Sequence, residues 1–225
     1  METDRAYRRK YGKSLEQLLM SEGTTTLGML VTGALSDFGQ FIIYRIMGES
    51  RRDAHVIKAA MDGLGCADET LLTVISQRSN EQLRMIAKEY ASAFREDMFA
   101  RIKSETGGIL ARNYGNWVEV LCECQRDETD VIPFNLAMLA QRLYDAGAKK
   151  TFGTDDAVFI EIFAKANAPT CAAIVQQYKA NFPGRCLITD IEKKFGGNIQ
   201  FALLARVKPR LDFFAWRIYK ACKGT

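Results

Sequence analysis

Apolar residues recur along most of the chain at three- and four-residue intervals, the spacing of one helix face. Val56, Ile57, Ala60 and Met61 form one stripe, and Leu71, Leu72, Val74 and Ile75 a second. Leu83, Ile86, Ala87 and Tyr90 form a third, and Met98, Phe99 and Ile102 a fourth. Ile109, Leu110, Tyr114, Trp117, Val118 and Leu121 complete a fifth. Gly63, Gly65, Gly107 and Gly108 break the stripes, as helix-ending glycines do. No stretch reads as a strand pair. The pattern predicts an all-α fold of short helices.

The pattern then returns. At an offset of 88, Gly65, Asp68, Leu72, Ile86, Tyr90 and Phe94 match Gly153, Asp156, Ile160, Ile174, Tyr178 and Phe182. One inserted residue shifts the offset to 89, where Ile102 matches Ile191 and Gly107-Gly108 match Gly196-Gly197. Earlier in the chain, Tyr11, Leu15 and Ser21-Glu22 match Phe94, Met98 and Ser104-Glu105 at offset 83. Near the end, Arg217 to Ala221 echo Arg142 to Ala146 at offset 75. A fixed period of this size marks a repeat architecture, in which each unit buries its apolar face against its neighbours. The predicted units are a partial repeat over 1–49 with an insertion at 36–49, and full five-helix repeats over 50–122 and 136–208. A polar, acidic connector over 123–135 joins the full repeats, and 209–225 is the first helix of a fourth.

Composition narrows the function classes. The chain has 225 residues, 48% hydrophobic and 26% charged, with only 4 prolines. That is globular composition and excludes disordered and proline-rich classes. The net charge of +4 permits an acidic partner surface without demanding nucleic acid, and no basic run exceeds Arg8-Arg9-Lys10. Six cysteines without paired spacing predict reduced thiols and a cytoplasmic protein. Cys122 and Cys124, if both helical, point apart on the wheel, and a single histidine, His55, argues against zinc. The longest uncharged run, Gly23 to Ser36, is too short to span a bilayer, and the charged start predicts no secretory signal. No P-loop, zinc-helix or nucleophile-elbow motif is present, so no enzyme is expected.

Several motifs carry a family resemblance. Lys58-Ala-Ala-Met-Asp-Gly-Leu-Gly65, then Asp68-Glu69, Arg78-Ser79 and Ile102-Lys-Ser-Glu105, resemble an annexin repeat. Leu143-Tyr-Asp-Ala-Gly147, Gly153-Thr-Asp-Asp156 and Phe159-Ile160 resemble a later one. Phe201 to Leu204, followed by Phe213-Phe-Ala215, fit the step into the last repeat. The resemblance covers most of the chain, in order. It implies a helical superhelix comprising the end of repeat 1, repeats 2 and 3, and one helix of repeat 4. The chain would then stop inside the next calcium loop. Apolar positions left without partners, Leu15, Leu18 and Leu19 at one end and Phe213, Phe214, Trp216, Ile218 and Tyr219 at the other, would favour self-association.

The loop chemistry agrees with the resemblance. Calcium takes 6–8 oxygens at about 2.3–2.6 Å. A tight glycine turn can present backbone carbonyls, and one carboxylate can close the site. The resemblance assigns the carbonyls of Met61, Gly63 and Gly65 and the side chain of Glu105 to one Ca2+ ion. A plain helix-turn-helix with glycine caps and a solvated glutamate would leave the same Gly-x-Gly. Cys66 stands where the family usually has threonine, and Asp62 where it usually has a basic residue. In the next repeat Gly147 and Gly153 keep the turn, but Lys194 occupies the position of Glu105. A cation there repels calcium at short range, so this site is expected to be weak or degenerate, with Lys194 a candidate ligand for a lipid phosphate. Arg78 has lost its counterpart at Ala166, and Glu22 resembles the acid cap of the first repeat, whose loop would lie before Met1.

The function this implies is calcium-dependent, peripheral binding of acidic phospholipid membranes. Neutral carbonyls and one carboxylate leave coordination places for lipid phosphate. The alternative is a calcium-independent helical scaffold that binds cytoskeletal or other protein partners.

Overall fold

The computed structural model describes residues 2–14, 18, 41, 44–62, 66–107 and 112–223. Among them every regular element is a helix. Contacts divide the chain into Met1–His55 and Val56–Thr225. The first unit holds α1, Glu2–Tyr11, where Tyr7 and Tyr11 pack one turn apart with ring centroids at 4.6 Å. Leu15, Leu19 and Glu22 lie outside the described residues.

Helix α2, Glu49–Met61, runs across the division. Then follow α3 Asp68–Gln77, α4 Asn80–Phe94, α5 Met98–Thr106 and α6 Arg112–Cys122. A second set of five is α7 Leu136–Ala146, α8 Asp156–Phe163, α9 Ala168–Asn181, α10 Leu187–Lys194 and α11 Gly197–Val207. The last helix is α12, Arg210–Lys223. Most described positions of the predicted stripes lie inward: Ile57, Leu71, Leu72, Ile75, Leu83, Tyr90, Ile102, Trp117 and Leu121 are fully buried, while Val56, Ala87 and Phe99 are half-buried. Ile109 and Leu110 lie outside the described residues.

Short polar signals stop and start these helices. Ser79 forms a reciprocal cap with Gln82 at the start of α4, and Asp97 accepts from the Ala100 amide to open α5. The matched tyrosines do matched work. Tyr90 and Tyr178 are both buried, and each hydroxyl donates to an acid on or just before the next helix. Tyr90 reaches Glu96 at 3.2 Å, and Tyr178 reaches Asp190 at 2.8 Å. The two five-helix sets meet along α3 and α11. There the Gln77 amide donates to the Ala205 carbonyl at 2.6 Å, and the Asn198 amide donates to Asp68.

The connector is more than a linker. Arg126 is only 7% exposed and donates to the carbonyls of Ser76 and Arg78. Burial, and secondarily Arg206, pulls its pKa down to about 10. Asn80 of α4 donates to the Arg126 carbonyl at 2.8 Å, and its own amide meets Glu128 at 2.6 Å. From the other side, the Asp127 amide donates to the Lys165 carbonyl at 3.0 Å. Asn167 donates to the carbonyls of Thr129 at 2.6 Å and Val131 at 3.0 Å. The polar, acidic connector thus bonds to both helix sets.

At the C-terminal helix, Phe213 is buried and Trp216 packs on Phe201 with centroids at 5.8 Å. Leu211, Ile218 and Tyr219 of the same helix are exposed. No helix among the described residues is long and apolar enough to cross a membrane.

All six cysteines are free, and Cys124 lies beyond the end of α6 with φ +52, so the two thiols of the Cys-x-Cys do not share a helix. Cys186 is exposed at the start of α10, where the Thr189 amide above all holds its thiol below the usual pKa. Burial pushes the thiols of Cys66 and Cys122 up to about 12. A limiting dose of iodoacetamide at neutral pH will therefore modify Cys186 before Cys66 and Cys122. Peptide mass mapping reads the order, and first modification at Cys66 or Cys122 would contradict it.

Candidate metal site

Helix α2 ends at Met61, and the Ala67 amide closes the following turn on the Ala60 carbonyl at 2.7 Å. Gly63 and Gly65 of that turn lie outside the described residues. Helix α5 brings Glu105 to the turn from 44 positions further along the chain. Two of the four expected ligands thus come together, and what joins them is Arg101. One nitrogen, Nη2, lies 2.8 Å from Glu105 Oε1 and donates to the Met61 carbonyl at 3.4 Å. The Glu105 side chain is 24% exposed and ion-paired, unlike the solvated glutamate of a plain helix-turn-helix.

Arg101 is the residue that sequence reasoning passes over. Its signal is the four-residue step to Glu105, an ordinary ion-pair spacing on any helix. Nothing in that step says that the guanidinium also reaches a carbonyl 40 positions earlier. Its Nε is buried with no acceptor among the described residues.

The charges nearby are answered locally. Lys58 pairs with Asp62 at 3.1 Å and with Glu96 at 3.3 Å. Cys66, where the family usually has threonine, stays a neutral thiol: burial raises its pKa most, with Asp68 and Glu105 adding to it. The Tyr114 hydroxyl donates to Asp68 at 3.2 Å.

The second loop is built differently. Its closing bond runs from the Asp155 amide to the Ala146 carbonyl at 2.8 Å, a longer path than from Ala67 to Ala60. Gly147 caps α7, and a Cβ there would sit 3.0 Å from the Phe159 ring, so a side chain would push that ring aside. Gly153 holds φ +65, a backbone state that favours glycine. Lys194 donates to the Lys150 carbonyl at 2.7 Å. Beside it, Phe152 is 90% exposed. At offset 89, the Arg101–Glu105 pair becomes Asp190–Lys194, the same two positions with the charges exchanged. Asp190 is taken by the Tyr178 hydroxyl and Arg185, so Lys194 turns to the loop instead.

The first loop suits a hard, oxygen-seeking cation. A carbonyl and a carboxylate, distant in sequence, already converge on one positive nitrogen. Calcium would draw them closer, since its bonds to oxygen run about 2.3–2.6 Å. Among the described residues no three His, Cys, Asp or Glu side chains gather into a cluster. A site of carbonyls and one carboxylate requires no such cluster. The second loop offers a carbonyl already bonded to an ammonium, with no carboxylate at the matching position, and fits calcium poorly.

The Annexin family model matches residues 52–113 and 139–205. Human annexin A13 is 30% identical over 222 residues, covering 97% of this chain and 65% of that protein. Rat annexin A1 is 30% identical over 223 residues, covering 97% of this chain and 60% of the relative. A solved structure of an annexin A8 mutant aligns with a TM-score of 0.78 at 25% identity, over 98% of this chain and 65% of that one. Calcium-bound alpha-1 giardin aligns at 16% identity with a TM-score of 0.78, over 99% and 70% of the two chains, a likeness of fold alone. The chain thus spans less than two thirds of the length of these curated relatives. On the matched repeats and the helical fold they share, this chain belongs to the annexin family.

Proposed function

We propose that this chain binds acidic phospholipid membranes peripherally and in a calcium-dependent manner. The carbonyls of Met61, Gly63 and Gly65 and the Glu105 carboxylate hold one ion. The observation that supports this reading is the convergence of the Met61 carbonyl and Glu105 on a single cation. Bound calcium supplies a divalent bridge whose remaining coordination places accept lipid phosphate oxygens. The chain's own residues do the positioning. Asp97 caps α5 and fixes its first turn, while the bond from Ala67 to Ala60 holds the turn shut. The repeat boundaries 50–122 and 136–208, with a partial repeat over 1–49, a connector over 123–135 and a last helix over 209–225, belong to the same reading.

The second loop contributes without calcium. Lys194 braces it through the Lys150 carbonyl, and the exposed Phe152 lies two residues further along the chain, a basic and aromatic tip suited to an acidic headgroup surface. A cytoplasmic location and self-association through the exposed positions of α12 fit this reading. Pelleting with phosphatidylserine vesicles, with calcium or with chelator, tests it. Binding with calcium and release by chelator is the expected result. Equal pelleting in both conditions, or none in either, would favour the protein-binding scaffold instead.

A further inference from the structure

We propose that Arg101 is a built-in competitor for the calcium seat of the first loop, a tethered cation that the metal must evict. The proposal rests on the calcium reading above. A guanidinium nitrogen sits 2.8 Å from the Glu105 carboxylate and 3.4 Å from the Met61 carbonyl, the two described oxygens assigned to the ion. A divalent ion drawn to the same two oxygens would sit against that nitrogen. Calcium at bonding distance would also place two positive charges against a third within a few ångströms.

The grip is of a kind that can be displaced. The carbonyl contact is long for a hydrogen bond. The Arg101 side chain is 38% exposed, so water can take over its guanidinium. Glu105 remains in place to close the site after the swap. In the second loop the cation comes from the other position of the pair. Lys194 holds the Lys150 carbonyl at 2.7 Å, and no carboxylate remains to welcome a metal. Both loops therefore carry an internal cation, and only the first keeps the acid that lets calcium replace it. Without metal, the internal cation keeps the Glu105 carboxylate partnered and α5 tied to the turn. Calcium sensitivity is then set by the exchange of one cation for another.

Direct calcium titration by calorimetry, without lipid, tests this on wild type, Arg101→Met, Arg101→Lys and Lys103→Met. Arg101→Met keeps a straight, helix-favouring stem and removes the charge. It should tighten calcium binding by about tenfold. Arg101→Lys keeps the charge and should stay within about threefold of wild type. Lys103→Met removes the same unit of charge two residues away, where the ammonium pairs with Glu119 at 2.6 Å and touches neither ligand. It should also stay within about threefold, because exposed charges away from the site are screened. Equal affinity of Arg101→Met and wild type overturns the proposal and leaves the calcium reading intact. An equal gain at Lys103→Met also overturns it, because general charge would then explain the effect. No calcium binding by any of the four proteins overturns the proposal and the calcium reading together. Circular dichroism on each variant reports whether the helical fold is retained.

Discussion

Glu105→Gln will remove most calcium-dependent binding to phosphatidylserine vesicles, raising the calcium required for half-maximal pelleting by about tenfold or more. Glutamine offers one neutral oxygen where glutamate offers two sharing a charge. The loss of the charge weakens the attraction for a divalent ion, and the loss of the second oxygen removes a ligand. In the metal-free protein the change is mild. The pair with Arg101 is a partly exposed, four-residue helical contact, worth about 0.5 kcal/mol at most. Melting temperature should move little while the calcium requirement moves a great deal. Lys194→Ala is the counterpart. It breaks the brace to the Lys150 carbonyl and removes a charge from the second loop. It should lower vesicle affinity by about 1 kcal/mol and leave the calcium requirement unchanged. Pelleting over a calcium titration reads all three proteins. A Glu105→Gln protein that pellets like wild type would remove Glu105 from the site.

The contrast between these residues shows what the chain discloses as a string. Helices are legible because burial acts on a fixed period: Leu71, Leu72 and Ile75, or Leu83, Ile86 and Tyr90, must share a face if they share a core. The repeat is legible for the same reason, since matched positions such as Tyr90 and Tyr178 solve the same packing problem twice. The annexin resemblance follows from those matches and agrees with the family found for the chain. Arg101 is hidden because its partners are set by the approach of two helices, and no local period encodes that approach. The connector is hidden for a related reason. Arg126 and Asp127 lie within a stretch that shows only polar composition, and charged residues mostly are surface. Only the fold shows that backbone carbonyls of α3 and its end surround the Arg126 guanidinium. Asp62 reads only as a departure from the family's usual basic residue until Lys58, one turn back, is seen to pair with it.

Asn167→Asp will destabilise the fold more than Asn167→Ala does, although aspartate is ordinarily as good a helix cap as asparagine. Asn167 is 3% exposed and opens α9 by accepting from the Thr170 amide at 2.7 Å. Its Nδ2 faces the other way, toward Asp127 Oδ2 at 3.1 Å and the carbonyls of Thr129 and Val131. Alanine loses the cap and leaves connector carbonyls without their donor, a loss of about 3 kcal/mol. Aspartate keeps the cap but turns a donor into an anion that faces three acceptors. One of these is Asp127, whose own carboxyl is held below the usual range by the amide and hydroxyl of Thr129 and so stays charged. The new carboxyl is disfavoured in its charged form, so its folded pKa rises above its unfolded one. The folded state then binds the extra proton more readily, and the deficit shrinks as pH falls from 8 toward 5. The alanine deficit has no titrating group and should stay flat over the same range. Urea unfolding at pH 5 and pH 8 separates the two. An aspartate variant as stable as wild type at pH 8 would mean that the connector is not held through Asn167, and a pH-independent deficit would mean that the new carboxyl escapes to solvent.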